Sequence, residues 1–158
     1  MSAVSVILHF LAWSVAAGGV GALAMALVLW GFTRSGLTNA RMVIAVGSLL
    51  TRSYENALLV GAFVHGIAGV LFGMVYTLIL MVIGKPGVGP NLLLGVLLGG
   101  SQGLLVALSL VAVVADVHPL EEFRQRGFAI ALSHWVGHMV YGLVVGGIIG
   151  ASGLTALG

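Results

Sequence analysis

Histidine and glycine recur four residues apart in two long apolar stretches of this chain. The residues are Gly61, His65, Gly69 and Gly73 in one stretch, and His134, His138, Gly142, Gly146 and Gly150 in the other. Histidine is costly inside a bilayer and tends to mark a site there, because imidazole can ligate a metal or carry a proton. Glycine at this spacing lets helix backbones approach each other. The pattern therefore combines candidate chemistry with candidate helix packing.

The histidines fall at similar depth if both stretches are helices that begin at their arginine-bearing ends. A rise of about 1.5 Å per residue places His65 about 12 Å deep and His138 about 16 Å deep. His134 lies one turn shallower than His138 on the same face, and Gln102 in another span falls near the same level. We expect these four side chains to form one polar cluster near the middle of the bilayer.

Three interpretations of this cluster stay open. In the first, His65 and His138 hold a haem b axially while Gly69 and Gly142 clear room for the macrocycle. Alternatively, the same histidines with His134 hold a transition metal, since imidazole suits zinc, copper, iron and nickel. In the second, the cluster is a proton or substrate pathway. In the third, the histidines only bond between helices, at about 0.6 kcal/mol each.

A second polar constellation lies in the sequence after the third span. Asp116, His118 and Glu121 could bind a divalent metal, although such a string is more often a solvated loop that pairs with itself. The sequence has no nucleophile elbow, no phosphate-binding glycine loop and no paired carboxylates within a span. An enzymatic activity would therefore need a metal or haem at His65 and His138.

The composition predicts a membrane protein. The chain has 158 residues, of which 60% are hydrophobic and 6% charged, with a mean hydropathy of +1.21. A soluble surface normally needs about a quarter charged residues. The net charge of +2 is too small and too scattered to suggest nucleic-acid binding. The partner that composition implies is the lipid bilayer.

Uncharged runs of about 20 or more residues indicate four transmembrane helices in a single domain, 1–158. They cover about 4–32, 57–83, 92–115 and 128–150. A further segment, about 38–50, alternates apolar and polar residues at helical spacing and can start at a cap of Thr38 or Asn39. It predicts a short interfacial helix, or an inward extension of the second span.

Loop charges predict the orientation. Arg34, Arg41 and Arg52 precede the second span, Arg124 and Arg126 precede the fourth, and Lys85 alone lies in the middle connection. The positive-inside rule then places the arginine loops in the cytoplasm and both termini outside. We expect a multi-pass protein of a bacterial inner membrane.

An internal repeat is indicated by matching residues at an offset of 73. His65, Gly69 and Gly73 correspond to His138, Gly142 and Gly146. Two hairpins in the same orientation would be related by a pseudo-two-fold axis along the membrane normal. The second and fourth spans would then run parallel.

Two features resemble small uncharacterised bacterial four-helix membrane proteins that form families of unknown function. One is the pair of His-x3-Gly-x3-Gly spans with Tyr76 and Tyr141 nearby; the other is the Ser-His-Trp-x-Gly-His-Met-Val-Tyr-Gly segment. The likeness is greatest over residues 136–146. It implies a four-helix bundle and no known activity.

These observations favour a binding or accessory subunit. Glycine-rich helix faces would pack against other membrane chains, in a homo-oligomer or a larger complex, and the histidines would hold a cofactor. The alternative is a small channel or carrier whose pathway uses the mid-bilayer histidines and Gln102.

Overall fold

The predicted all-α class is confirmed. The computed structural model describes residues 2–124 and 127–156, so Arg126 of the loop-charge argument lies outside it. Within these ranges every regular element is helical. The α-helices are α1 (Ala3–Arg34), α2 (Met42–Thr51), α3 (Ala57–Ile83), α4 (Val88–Ser109), α5 (Ala115–Val117) and α6 (Phe128–Ser152).

Four helical runs are long and apolar enough to cross a membrane. They are α1, α3, α6 and the run Val88–Val117, in which α4 continues through a π-helical turn at Leu110–Val114 into α5. Large apolar side chains lie on the outside of these runs; Phe63 is 69% exposed and Val82 is 73% exposed. Such a surface suits lipid rather than water.

The third span begins earlier than predicted. We expected this span to start near residue 92, but the turn before it covers only residues 84–87 and α4 starts at Val88. Pro90 is the third residue of this helix, where the backbone N–H has no intrahelical acceptor in any case. A proline is therefore tolerated there, and it does not delay the helix.

The short helix after the first span is ten residues long. It begins at Met42 rather than near 38, and no side chain caps its start, so the predicted cap at Thr38 or Asn39 is wrong. Ala40 is held instead by a hydrogen bond from its backbone N–H to Thr33 Oγ1. A side chain at Gly47 would overlap the Ala57 carbonyl, so α2 packs backbone to backbone against the start of α3.

The long helices pack in two close pairs that meet through a third contact. α1 packs along α3, α4 packs along α6, and α1 also packs along α6. Although a four-residue turn joins α3 to α4, these two helices touch over little of their length. The buried core lies between α1, α3 and α6 and includes Leu29, Leu80, Val145 and Ile149. A gap is left between α3 and α4.

Glycines make the close helix contacts inside the chain. A Cβ on Gly95 would overlap the Gly142 carbonyl, and a Cβ on Gly18 would overlap the Gly69 carbonyl. In lipid, helix association depends on such close backbone approach, because no hydrophobic gain drives it. The glycine-rich helix faces that we predicted to contact partner chains therefore pack against each other within this chain.

Candidate functional site

The four polar residues that the sequence places at one level line one cavity. It measures about 210 Å³ and lies among α1, α2, α3, α4 and α6. Its polar lining comes from His65, Gln102, His134, His138 and Tyr141. The remaining walls are mostly apolar and include Phe72 of α3 and Val106 of α4.

His65 is fixed by the pairing of α1 with α3. One turn along α3, Gly69 lies so close to Ala22 that a Cβ would come within 2.5 Å of the Ala22 Cβ. This approach brings His65 Nε2 to 3.0 Å from the Ala22 carbonyl oxygen. A carbonyl can only accept, so Nε2 carries the proton and Nδ1 keeps a lone pair.

His134 is fixed by its own helix. Its Nδ1 lies 2.8 Å from the carbonyl oxygen of Ile130, one turn earlier in α6. Because the carbonyl accepts, Nδ1 carries the proton, and Nε2 keeps a lone pair. The side chain is 5% exposed, so this nitrogen is shielded from bulk solvent.

His138 differs from the other two histidines. Within the described ranges, neither of its ring nitrogens has a hydrogen-bond partner. Its backbone, in contrast, is tightly held, since a Cβ on Gly99 of α4 would overlap the His138 carbonyl. The ring is therefore positioned by rigid helices while its polar atoms remain available to a ligand.

Two tyrosines complete the site. The Tyr76 hydroxyl donates to Gln102 Oε1 at 2.6 Å, and the Tyr141 hydroxyl donates to the Gly69 carbonyl at 2.7 Å. Their rings meet edge to face at 5.5 Å between centroids. In the sequence, both tyrosines stand out only through the family resemblance. Their pairing could have been predicted from the rule that a buried tyrosine hydroxyl needs a hydrogen-bond partner, since Gln102 lies at a similar level.

A haem does not fit this site. The Nε2 atom of His65, which would ligate the iron, is bonded to Ala22. The space assigned to a macrocycle beside Gly69 and Gly142 is filled by α1 and α4 respectively. The cavity of about 210 Å³ is also smaller than the about 300–1,000 Å³ of pockets for drug-sized ligands. The two glycines therefore serve helix packing.

The metal hypotheses receive no geometric support. Across the described residues, no three His, Asp or Glu side chains are grouped so that they could hold a metal ion. This applies to the set of His65, His134 and His138, although these residues share a cavity. It applies equally to Asp116, His118 and Glu121 near the loop.

His118 has a structural role instead. It is 0% exposed, and its Nε2 donates to the Ala45 carbonyl of α2 at 3.0 Å. Its Nδ1 accepts from the Leu120 backbone N–H at 3.1 Å. Both ring nitrogens are thus in use, which leaves no lone pair for a metal.

A smaller cavity of about 110 Å³ lies next to His118. Near its mouth Arg41 forms an ion pair with Glu122 and lies over the Phe123 ring, with 5.7 Å from the guanidinium carbon to the ring centroid. Four residues line both this cavity and the larger one: Met42, Val46, Leu110 and His134. The two cavities are therefore adjacent, with His134 between them.

Comparison of the chain with protein-family models, with curated proteins and with solved structures gave no match.

Proposed function

We propose that this chain is an integral membrane binding protein, an accessory subunit that holds a small ligand in the cavity among its histidines. The observation that carries the proposal is the state of His138. Its imidazole lines the cavity with no hydrogen-bond partner among the described residues, while His65 and His134 are each held by a backbone carbonyl. An unpaired polar group in an apolar setting costs free energy unless a ligand or water satisfies it.

The proposed architecture is two repeated hairpins. Its support is that the helix contacts themselves recur at the offset of 73. Gly69 meets Ala22, and 73 residues later Gly142 meets Gly95; Gly73 meets Gly18, and Gly146 meets Asn91. Equivalent residues thus make equivalent contacts in the pairs α1·α3 and α4·α6. The histidines His65 and His138 occupy corresponding places one turn away.

The proposed setting is the inner membrane of a bacterium, with both termini outside. The support is the distribution of charge: Arg34, Arg41, Arg52 and Arg124 lie at one end of the long helices, and Lys85 lies at the other. Cytoplasmic loops retain such an excess of arginine. In this arrangement α2 lies at the cytoplasmic interface, where it covers the inner side of the cavity with Met42 and Val46.

Partner chains would bind to surfaces other than the glycine-rich helix faces that are buried inside the chain. Gly19 and Gly66 lie in α1 and α3, and a Cβ at either position would meet no described atom within 4 Å. Small exposed residues of this kind allow close approach of another helix. We propose that a homo-oligomer or a larger membrane complex forms on these faces.

The test of the binding function is native mass spectrometry of protein extracted directly into lipid nanodiscs. We expect a retained small organic molecule in the wild type and its loss in His138→Leu and in Ala68→Phe, which fills the cavity. Ala16→Phe, on an exposed face of α1, is the matched control and should retain the molecule. Equal retention in all four proteins, or in none, would contradict the proposal.

An absorption spectrum and metal analysis of the same sample would reveal a Soret band or stoichiometric metal, either of which would restore the cofactor hypothesis.

The second candidate function is that of a small carrier or channel. The observation that favours it is the adjacency of the two cavities, which leads from the Arg41–Glu122 ion pair past His134 to His138. A row of histidines can relay protons because imidazole both donates and accepts. Proton flux into dye-loaded proteoliposomes should then fall in His134→Leu. Flux that equals that of empty liposomes would rule this function out.

A further inference from the structure

Three histidines line the cavity, and each has an imidazole nitrogen that no described side chain satisfies. The lone pairs are those of His65 Nδ1, His134 Nε2 and one ring nitrogen of His138, because each neutral imidazole carries a single proton. No described side chain donates to any of them. Gln102 offers its amide NH₂ and His138 one N–H, but neither donates to an imidazole of the cavity. A ligand with a donor of its own would satisfy one of these lone pairs.

The volume of the cavity matches a ligand of about one ring. Its volume is about 210 Å³. An engineered apolar cavity of about 150 Å³ in another protein binds benzene. One six-membered aromatic ring with a small polar substituent therefore matches this space.

The route of entry points to a lipid-soluble molecule. Phe72 lines the cavity and is also 43% exposed on the outer surface of the bundle. Val106 of α4 lines the same cavity, and α3 and α4 touch over little of their length. On the side of the loops, the cavity adjoins the smaller cavity beside His118, and Met42 and Val46 of α2 line both. A molecule dissolved in the bilayer can reach the cavity from the side of the bundle, beside Phe72.

We propose that the cavity binds a lipid-soluble aromatic ring that bears a hydroxyl group, a phenol by chemical class, which enters between α3 and α4. The hydroxyl supplies the missing donor to an imidazole lone pair and accepts from the Gln102 amide or from His138. The ring fills the apolar part against Phe72 and Val106. This inference rests on the proposed binding function and specifies its ligand.

The test uses three fluorinated probes of similar size with the protein in nanodiscs, followed by ¹⁹F NMR. 4-Fluorophenol donates and accepts hydrogen bonds, 4-fluoroanisole only accepts, and fluorobenzene does neither. We expect saturable binding of 4-fluorophenol that is about three- to ten-fold tighter than that of 4-fluoroanisole, the effect of one net hydrogen bond. Ala68→Phe should abolish the saturable signal, and Ala16→Phe should keep it, which corrects for partition into lipid.

His134→Leu and His138→Leu separate the hydroxyl contact from the shape of the cavity. Each should reduce the preference for the phenol over the anisole while fluorobenzene binds as before. Equal affinity of all three probes for the wild type, lost in Ala68→Phe, would overturn the phenol assignment and leave the binding function standing. No saturable binding of any probe would also overturn the assignment, and the retained molecule in native mass spectrometry would then decide the binding function separately.

Discussion

The Tyr76 hydroxyl donates a hydrogen bond of 2.6 Å to Oε1 of Gln102 and so links α3 to α4 across the gap between them. Tyr76 is 4% exposed, and its ring lies against that of Tyr141. Since α3 and α4 otherwise touch over little of their length, this bond is one of the few links between them. It also orients the Gln102 amide, whose oxygen is committed and whose nitrogen is not.

We predict that Tyr76→Phe destabilises the protein by about 0.6 kcal/mol, the average for hydrogen bonds between membrane helices, and by no more than about 1.7 kcal/mol, the largest value found. Unfolding by SDS in mixed micelles measures the change. A double-mutant cycle with Gln102→Leu isolates the bond, because removing both partners leaves no unpaired oxygen. The double variant should be no less stable than Tyr76→Phe alone. Strictly additive losses would show that the two side chains are not coupled.

Gly18 and Gly19 are adjacent in α1 but face different surroundings. A Cβ on Gly18 would overlap the Gly69 carbonyl, whereas one on Gly19 would meet no described atom within 4 Å. Overfilling a tight contact costs about 1–3 kcal/mol, so Gly18→Ala should lower the unfolding free energy by that amount. Gly19→Ala should change it by less than about 0.5 kcal/mol, as at most surface positions. Equal effects in SDS unfolding would refute the assigned α1·α3 contact.

His118 should matter more for stability than the ion pair beside it. Removing its ring leaves the Ala45 carbonyl and the Leu120 N–H without their hydrogen-bond partner. His118→Ala should therefore lower the free energy of unfolding by about 1–3 kcal/mol. The side chains of Arg41 and Glu122 are 39% and 30% exposed. Exposed pairs contribute about 0–1 kcal/mol, so Glu122→Gln should cost no more than that. A larger loss in Glu122→Gln than in His118→Ala would reverse this order.

The sequence was sufficient to predict four long apolar helices, and the polar residues that it places at one level share one cavity. Long uncharged runs fix spans in lipid because every backbone polar group must be bonded within a helix. Histidine depth follows from helix rise alone, and His65, His134, His138 and Gln102 do line one cavity. The start of α4 was missed because Pro90 suggested a break, although proline is harmless in a first turn.

The roles of the individual side chains could not be predicted from the sequence. His65, His134 and His138 look equivalent in spacing, yet they differ in which backbone carbonyl lies near each ring. That difference depends on how each helix is rotated and on how closely it approaches its neighbour at glycines such as Gly69. The role of His118 could not be predicted either, because its partner Ala45 lies 73 residues away on a helix whose position only packing determines.

The orientation is the last prediction, and the chain suits its test because it contains no cysteine. Ser35 and Lys85 are exposed at opposite ends of the long helices. We expect Lys85→Cys to react with a membrane-impermeant maleimide on spheroplasts, since its loop has no arginine to retain it in the cytoplasm. Ser35→Cys, next to Arg34, should react only after permeabilisation. The opposite pattern would invert the topology and move the arginine ends, with α2 and His118, to the outside. Equal labelling of both sites before permeabilisation would indicate two orientations in one membrane.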